Sequence, residues 1–149
     1  MEIFVGADYR GFESKEKLIQ YLAHAGHQVV DAGAYAYQEG DDFNEPARRV
    51  AVSVRDNPGS RGILICDSAH GVTMQANRFS RVRAAHCDSV ESAKLAREHD
   101  DANVVCLSAH FMNEREMREV VETFLMTEFV PLERRLRRIN KLDEGADHD

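Results

Sequence analysis

The chain has 149 residues, of which 43% are hydrophobic and 30% charged, and its formal net charge is -7. These values are typical of a single globular domain with a buried core, and the acidic balance excludes the broad basic surface of a nucleic-acid-binding protein. Apolar runs are too short to cross a membrane, and the first residues predict a strand rather than a secretory leader. We therefore expect a cytoplasmic protein that binds neither nucleic acid nor a membrane.

The first half of the chain alternates between apolar runs and helical patterns. In chain order it predicts a strand over 3–5, a helix over 12–25, a strand at 29–30, a polar loop over 32–45 and a helix over 46–55. The helix over 46–55 ends at the breaker Asn57-Pro58-Gly59. The polar loop is long enough to be a candidate site loop.

The second half continues the same alternation. It predicts strands over 63–65, 82–87 and 103–107, and helices over 72–79, 89–98, 113–124 and 132–142, the last of them highly charged. The strands are apolar without clear alternation, so both faces of the sheet should be buried. The pattern predicts one α/β domain over 1–142, a three-layer α/β/α sandwich around a five-stranded parallel sheet of Rossmann-like type, followed by a polar tail over 143–149.

Three cysteines, Cys66, Cys87 and Cys106, lie in or beside apolar runs. Their odd number and the lack of a CxxC pair argue against a disulfide framework or a zinc site, and favour a reducing compartment. The sequence also lacks the glycine-rich and HExxH patterns of dinucleotide, nucleoside-triphosphate and zinc-protease sites. We expect no metal and no cofactor.

Polar residues follow the predicted strands. Asp8 follows the first strand, and Cys66 and Ser68 follow the third. Because parallel strands end at the same edge of a sheet, an aspartate, a thiol and a hydroxyl should face one pocket. A cysteine there can act as a base or a nucleophile.

Two arginines in the last predicted helix, Arg134 and Arg138, are four residues apart and share one helical face. Two guanidinium groups in this arrangement form a clamp suited to a phosphate group. Because the helix is terminal and charged, we expect it to reach a neighbouring subunit.

Four short motifs, in order, resemble the ribose-5-phosphate isomerase B family, which includes the galactose-6-phosphate isomerase subunits. They are Gly6-Ala7-Asp8-Tyr9-Arg10-Gly11-Phe12, Cys66-Asp67-Ser68-Ala69-His70-Gly71 with Ala76-Asn77-Arg78, His99-Asp100-Asp101-Ala102-Asn103, and Arg134-Arg135-Leu136-Arg137-Arg138-Ile139. Within these motifs the chain has Tyr9 where the family has histidine, Asp67 and Ala69 where it has glycines, Ser68 where it has threonine or serine, and Asp100 where it has asparagine.

The resemblance implies a metal-free aldose–ketose isomerase that converts a sugar phosphate through a cis-enediolate, with ribose 5-phosphate and ribulose 5-phosphate as the default pair. Cys66 would be the base that moves a proton between C1 and C2, and Ser68 would shuttle protons between the two oxygens. His99 would assist ring opening, and Asp8 would orient sugar hydroxyls.

The same resemblance assigns seven residues to substrate binding: Tyr9, Asp67, His70, Gly71, Asp100, Arg134 and Arg138. Arg134 and Arg138 would hold the phosphate across the interface of a homodimer or a dimer of dimers. Two alternatives remain open. One is a diverged member that acts on another sugar phosphate of four to six carbons, or a non-catalytic subunit that depends on a related chain in a heteromer. The other is a regulatory domain that binds a small molecule.

Overall fold

A computed structural model describes residues 1–145, and in this part of the chain five strands alternate with six helices. The strands are β1 (Glu2–Ala7), β2 (Gln28–Asp31), β3 (Arg61–Cys66), β4 (Ala84–His86) and β5 (Val104–Ser108). The helices are α1 (Phe12–His24), α2 (Asn44–Asp56), α3 (His70–Ala76), α4 (Val90–Asp100), α5 (Glu114–Met126) and α6 (Glu133–Asn140).

The sheet has the order β2-β1-β3-β5-β4, and every neighbouring pair of strands is parallel. The central strands β1, β3 and β5 are buried along their length, except for the first residues of β1 and β3. One face of the sheet packs on α1, α4 and α5, and the other packs on α2 and α3. The predicted three-layer sandwich around a five-stranded parallel sheet is confirmed.

Several predicted elements differ from the observed ones at their ends. α2 begins at Asn44, because Pro46 fits the first turn of a helix, where an N–H group has no partner within the helix. α3 begins and ends earlier than predicted, at His70 and Ala76, and β4 keeps only the middle of the predicted strand over 82–87 because it lies at the edge of the sheet. β4 pairs with β5 alone, over three residues.

The first turn after β1 approaches β3 closely. A Cβ atom at Gly11 would lie 2.5 Å from the carbonyl oxygen of Ile65, so the N-terminus of α1 can pack at this distance only without a side chain. Ala7 is paired in register with Ile65, so Asp8 and Cys66 continue from neighbouring positions of adjacent strands. The close approach therefore sets the distance between the two segments that carry these residues.

The last helix lies against the surface of the domain. No residue of α6 is buried, and it is attached to α4 through Arg135, whose Nη1 donates to the carbonyl oxygen of Glu98 at 3.1 Å. Asp143, in the predicted tail, accepts a hydrogen bond from the backbone N–H of Arg81 at 3.0 Å. The remainder of that tail, 146–149, lies outside the described residues. None of the described helices is both long enough and apolar enough to cross a membrane.

Candidate active site

The ends of β1, β3 and β5 meet at the carboxyl edge of the sheet. Cys66 is the last residue of β3 and is paired in register with Ser108, the last residue of β5. The Ser108 hydroxyl donates to the carbonyl oxygen of Asp67 at 2.6 Å, and the N–H of Ala109 donates to the carbonyl oxygen of Cys66 at 2.9 Å. The end of β5 thus holds the backbone that follows Cys66 in a fixed position.

The turn after Cys66 surrounds its sulfur with backbone donors. Ala69 has a left-handed backbone, with φ of 73°, and α3 begins at the next residue. The backbone N–H groups of Ala69 and Val72 lie close enough to the Cys66 sulfur to affect its pKa. Burial raises the pKa of the Cys66 thiol above its ordinary value, and the two N–H groups act in the opposite direction. Such a thiol is protonated at rest, and its thiolate has donors already in place.

Asp8 lies beside this turn and is also buried. Its Oδ1 accepts hydrogen bonds from the backbone N–H groups of Arg10 at 3.0 Å and Gly11 at 3.1 Å. Burial raises the pKa of Asp8, the two hydrogen bonds lower it, and the nearby carboxylates of Asp41 and Asp67 raise it further. These bonds fix the orientation of the carboxylate, and its electrostatic interaction with Cys66 shows that the two predicted residues lie together.

The predicted site loop lies at the same edge of the sheet. Asp41 in this loop accepts a hydrogen bond from the backbone N–H of Tyr9 at 2.9 Å, and the rings of Tyr9 and Tyr37 meet edge to face at 6.1 Å. The ring of Phe43 packs against Gly71, and a Cβ atom added at Gly71 would lie 2.7 Å from this ring. Sequence reasoning identified the loop but missed Asp41, because an aspartate in a polar loop gives no signal of its partner.

Ser68, Asp67 and His70 occupy the exposed side of the turn. The Ser68 hydroxyl oxygen accepts a hydrogen bond from the N–H of His70 at 3.3 Å. The Asp67 carboxylate lies 3.6 Å from Nδ1 of His110, and the His70 ring meets the ring of His86 edge to face at 6.0 Å. His110 is a further residue of this edge that the predictions missed, although its position two residues after β5 could have placed it there.

The remaining predicted residues lie elsewhere in the chain. His99 and Asp100 end α4, which starts beyond the carboxyl end of β4 and returns to the beginning of β5, so they lie at the opposite, amino edge of the sheet. Arg134 and Arg138 belong to α6, which packs on the end of α4. All four side chains are exposed. One chain therefore does not bring these four residues together with Cys66.

Possible metal ligands are not clustered in the described residues. Among them, no group of three or more histidine, cysteine, aspartate or glutamate side chains could hold a metal ion. The three cysteines are free and buried. Cys87 and Cys106 lie in the core, where burial raises their pKa values to about 11 and about 12. The chemistry available at the Cys66 turn is therefore that of a thiol, a hydroxyl and carboxylates.

Comparison with known proteins gives a match along nearly the whole chain. The model of the Ribose/Galactose Isomerase family matches residues 3–142. Ribose-5-phosphate isomerase B of Mycobacterium leprae is 35% identical over 146 residues, which is 97% of this chain and 89% of the relative. A probable ribose-5-phosphate isomerase B of Mycoplasma pneumoniae is 39% identical over 127 residues, which is 85% of this chain and 84% of the relative.

Solved structures agree with this match. A ribose 5-phosphate isomerase from Thermotoga maritima superposes with a TM-score of 0.92 at 36% identity, over 96% of this chain and 97% of the other. Ribose-5-phosphate isomerase B from Mycoplasma genitalium, with bound ribulose 5-phosphate, superposes with a TM-score of 0.91 at 38% identity, over 95% and 93% of the two chains.

Proposed function

The chain belongs to the Ribose/Galactose Isomerase family and is an aldose–ketose isomerase of a sugar phosphate; we propose that it interconverts ribose 5-phosphate and ribulose 5-phosphate. The observation that carries this proposal is the Cys66 turn. A buried thiol lies at the end of a central strand, with the backbone N–H groups of Ala69 and Val72 lowering its pKa and a carboxylate of fixed orientation beside it. This arrangement supports reversible removal of a proton from carbon.

Cys66 is the carbon base in this proposal. Its thiolate removes the proton from C2 of the open-chain aldose, which forms the cis-enediolate, and the resulting thiol returns the proton to C1 to give the ketose. The N–H groups of Ala69 and Val72 stabilise the thiolate, so a raised pKa in the resting state does not prevent its formation. Ser68 moves the second proton between the oxygens on C1 and C2, so the numbers of atoms and charges are unchanged over the cycle.

The other residues at this edge position the sugar. Asp8 accepts hydrogen bonds from hydroxyl groups of the substrate, because its carboxylate is oriented by the N–H groups of Arg10 and Gly11. In this proposal Tyr9, Asp67, His70 and Gly71, which follow β1 and β3 at the same edge, contact the bound sugar.

We further propose that a second subunit completes the site. His99, Asp100, Arg134 and Arg138 are exposed at the other edge of the sheet, and α6 exposes Leu136 on its surface. A neighbouring chain in the opposite orientation would bring its His99 to the sugar for ring opening and its two arginines to the phosphate. This arrangement predicts a homodimer or a dimer of dimers, and it also allows a heteromer with a related chain. The free cysteines support a cytoplasmic location.

A second substrate is favoured by one observation. Three carboxylates, Asp8, Asp41 and Asp67, lie near one another at the carboxyl edge. They offer acceptors to additional or differently arranged hydroxyl groups, which makes another sugar phosphate of four to six carbons the second candidate.

The variant Cys66→Ala tests the proposed function. We expect it to lose roughly 100-fold to 10,000-fold in kcat, the usual contribution of a general base. Ketose formation from ribose 5-phosphate and other aldose phosphates is followed by NMR in D2O, where exchange at C2 also reports the enediolate. Cys87→Ala is the matched control, because Cys87 is a buried core thiol outside the turn and its removal should leave kcat near that of the wild type.

Retained turnover in folded Cys66→Ala would overturn the role of the thiol. Turnover of a different sugar phosphate, with ribose 5-phosphate inert, would replace the first substrate by the second candidate. If the folded wild-type assembly forms no ketose from any of these aldose phosphates, the substrate assignment is overturned.

A further inference from the structure

A polar cavity lies at the amino edge of the sheet, away from the Cys66 of the same chain. It has a volume of about 380 Å³ and is lined by the starts of three strands and the end of α2. Its polar lining includes Arg55, Ser60, Arg61, Arg81, Arg83 and Asp101. Because β3 separates Arg61, its first residue, from Cys66, its last, the cavity and the Cys66 turn lie at opposite ends of the same strand.

Two buried polar atoms at this cavity have no hydrogen-bond partner in the described chain. They are the hydroxyl oxygen of Ser60 and Nε of Arg61. Ser60 is only 5% exposed, so bulk water does not readily satisfy its hydroxyl. Buried polar groups are nearly always paired in folded proteins, and an orphaned pair at one cavity indicates that something polar binds there.

The charge of the lining is positive although the whole chain is acidic. Four arginines and one aspartate line the cavity. Asp101 already accepts from Arg83 at 3.1 Å and from Arg97 at 2.8 Å, so its charge is shared between two partners. Burial and the nearby Arg97 lower the pKa of Arg61, and the carboxylates of Asp101 and Glu128 act in the opposite direction. An anion placed in the cavity would further stabilise the Arg61 charge.

The walls of the cavity are held in place by Asn103. Its Nδ2 donates to the carbonyl oxygen of Arg81 at 2.9 Å, and its Oδ1 accepts from the N–H of Arg83 at 2.8 Å. Arg81 itself has a left-handed backbone, with φ of 63°, a conformation that costs free energy for a residue such as arginine. Since both its N–H and its carbonyl group are hydrogen-bonded, this segment is held in a defined conformation around the cavity.

We propose that this cavity binds inorganic phosphate or the phosphate group of a small phosphate ester. The cavity is a site separate from the one where isomerisation takes place. Arg61 and Arg83 offer to phosphate oxygens the guanidinium N–H groups that the Ser60 carbonyl oxygen and Asp101 do not already occupy. The Ser60 hydroxyl, which is closed to solvent in the free protein, donates a third hydrogen bond when its side chain turns toward the anion. Arg81 adds charge at the rim, where Arg55 is already paired with Asp56 at 2.8 Å. The site goes beyond the isomerase activity and does not depend on its substrate.

The test is a titration of the full-length 15N-labelled protein with inorganic phosphate, followed by NMR at the backbone amides of Ser60, Arg61, Arg83 and Asn103. Three variants are compared with the wild type. Ser60→Ala removes the orphaned hydroxyl. Arg81→Asn removes an exposed guanidinium group while keeping a residue that tolerates a left-handed backbone. Arg115→Gln is the matched control, since it removes another exposed arginine, on α5 and outside the cavity.

We expect saturable shifts at the four amides and roughly tenfold weaker binding in Ser60→Ala and in Arg81→Asn, with no change in Arg115→Gln. The shifts should persist in Arg138→Gln, which lacks part of the proposed substrate clamp. A parallel titration with ribose 5-phosphate distinguishes the source of the phosphate: tighter binding than inorganic phosphate identifies an ester as the occupant, and equal or weaker binding identifies free phosphate.

Three results would overturn the proposal. Phosphate could leave the four amides unshifted, or Arg115→Gln could weaken the response as much as Arg81→Asn, which would mark a non-specific effect of charge. Loss of the shifts in Arg138→Gln would assign the bound phosphate to the substrate site of the assembly instead.

Discussion

Ala69 has a left-handed backbone in the turn that follows Cys66, although its side chain disfavours this conformation. The family has glycine at this position, and a glycine would adopt the same φ without steric cost. In this turn the N–H of Ala69 lies near the Cys66 sulfur and lowers its pKa, and the Ala69 carbonyl oxygen accepts a hydrogen bond from the Thr73 hydroxyl at 2.6 Å. Local strain is therefore balanced by a hydrogen bond within the turn that follows the thiol.

This strain gives a prediction for Ala69→Gly. Removing the Cβ contact of a left-handed residue raises the free energy of unfolding by about 1 kcal/mol or more. The extra conformational freedom of glycine in the unfolded chain lowers it again by part of this amount. We expect the free energy of unfolding, measured by urea denaturation, to rise by about 0.5 kcal/mol. The control is Ala47→Gly, the same change inside the right-handed α2, which should lower it by about 1 kcal/mol. If both variants lose the same free energy of unfolding, the backbone of Ala69 is not strained in the folded protein.

At the element scale, the contact between the start of α1 and β3 depends on a missing side chain. Gly11→Ala would place a Cβ atom 2.5 Å from the carbonyl oxygen of Ile65, a backbone atom that cannot rotate away. We expect a loss of about 1–3 kcal/mol in the free energy of unfolding and a fall in kcat, because Asp8 and Cys66 are carried by the two segments that must separate. Urea denaturation and the isomerase assay measure the two effects.

Ser14→Ala, one turn further along α1, is the control for this change, and we expect little effect from it on either measurement. Wild-type stability and activity in Gly11→Ala would show that the two segments separate without cost.

The elements themselves were predictable because each strand is a short apolar run and each helix has a periodic apolar face. The carboxyl-edge residues Asp8, Cys66 and Ser68 were predictable for the same reason, since parallel strands deliver their last residues to one edge. Asp41 was not, because its role depends on a bond to the backbone of Tyr9, 32 residues away in the chain. The extent of β4 depends on pairing with β5 alone, which local sequence does not encode.

At the scale of the whole molecule, the proposed site residues are divided between two edges of one sheet. The carboxyl edge carries the thiol, and the amino edge with α6 carries His99 and the two arginines of the phosphate clamp. A single rigid domain cannot fold one edge onto the other, since β3 and its neighbours span the distance between them. Under the proposed assignment of these residues, catalysis therefore needs two chains in opposite orientations.

Mixing two inactive variants tests this requirement. Cys66→Ala damages the carboxyl edge, and Arg138→Gln damages the phosphate clamp at the other edge. If each site combines the carboxyl edge of one chain with the clamp of its partner, a mixed dimer has one intact site and one doubly damaged site. After subunits exchange at equal concentrations, half of the dimers are mixed, so we expect about one quarter of the wild-type kcat to return.

The control is a mixture of Cys66→Ala and Ser68→Ala, both at the carboxyl edge, in which every site stays damaged. No recovery in the first mixture, with exchange verified by mass spectrometry, would mean that the sites are not shared. Equal recovery in both mixtures would point to reassembly without a shared site, whereas recovery confined to the first would establish that the two edges act together across the interface.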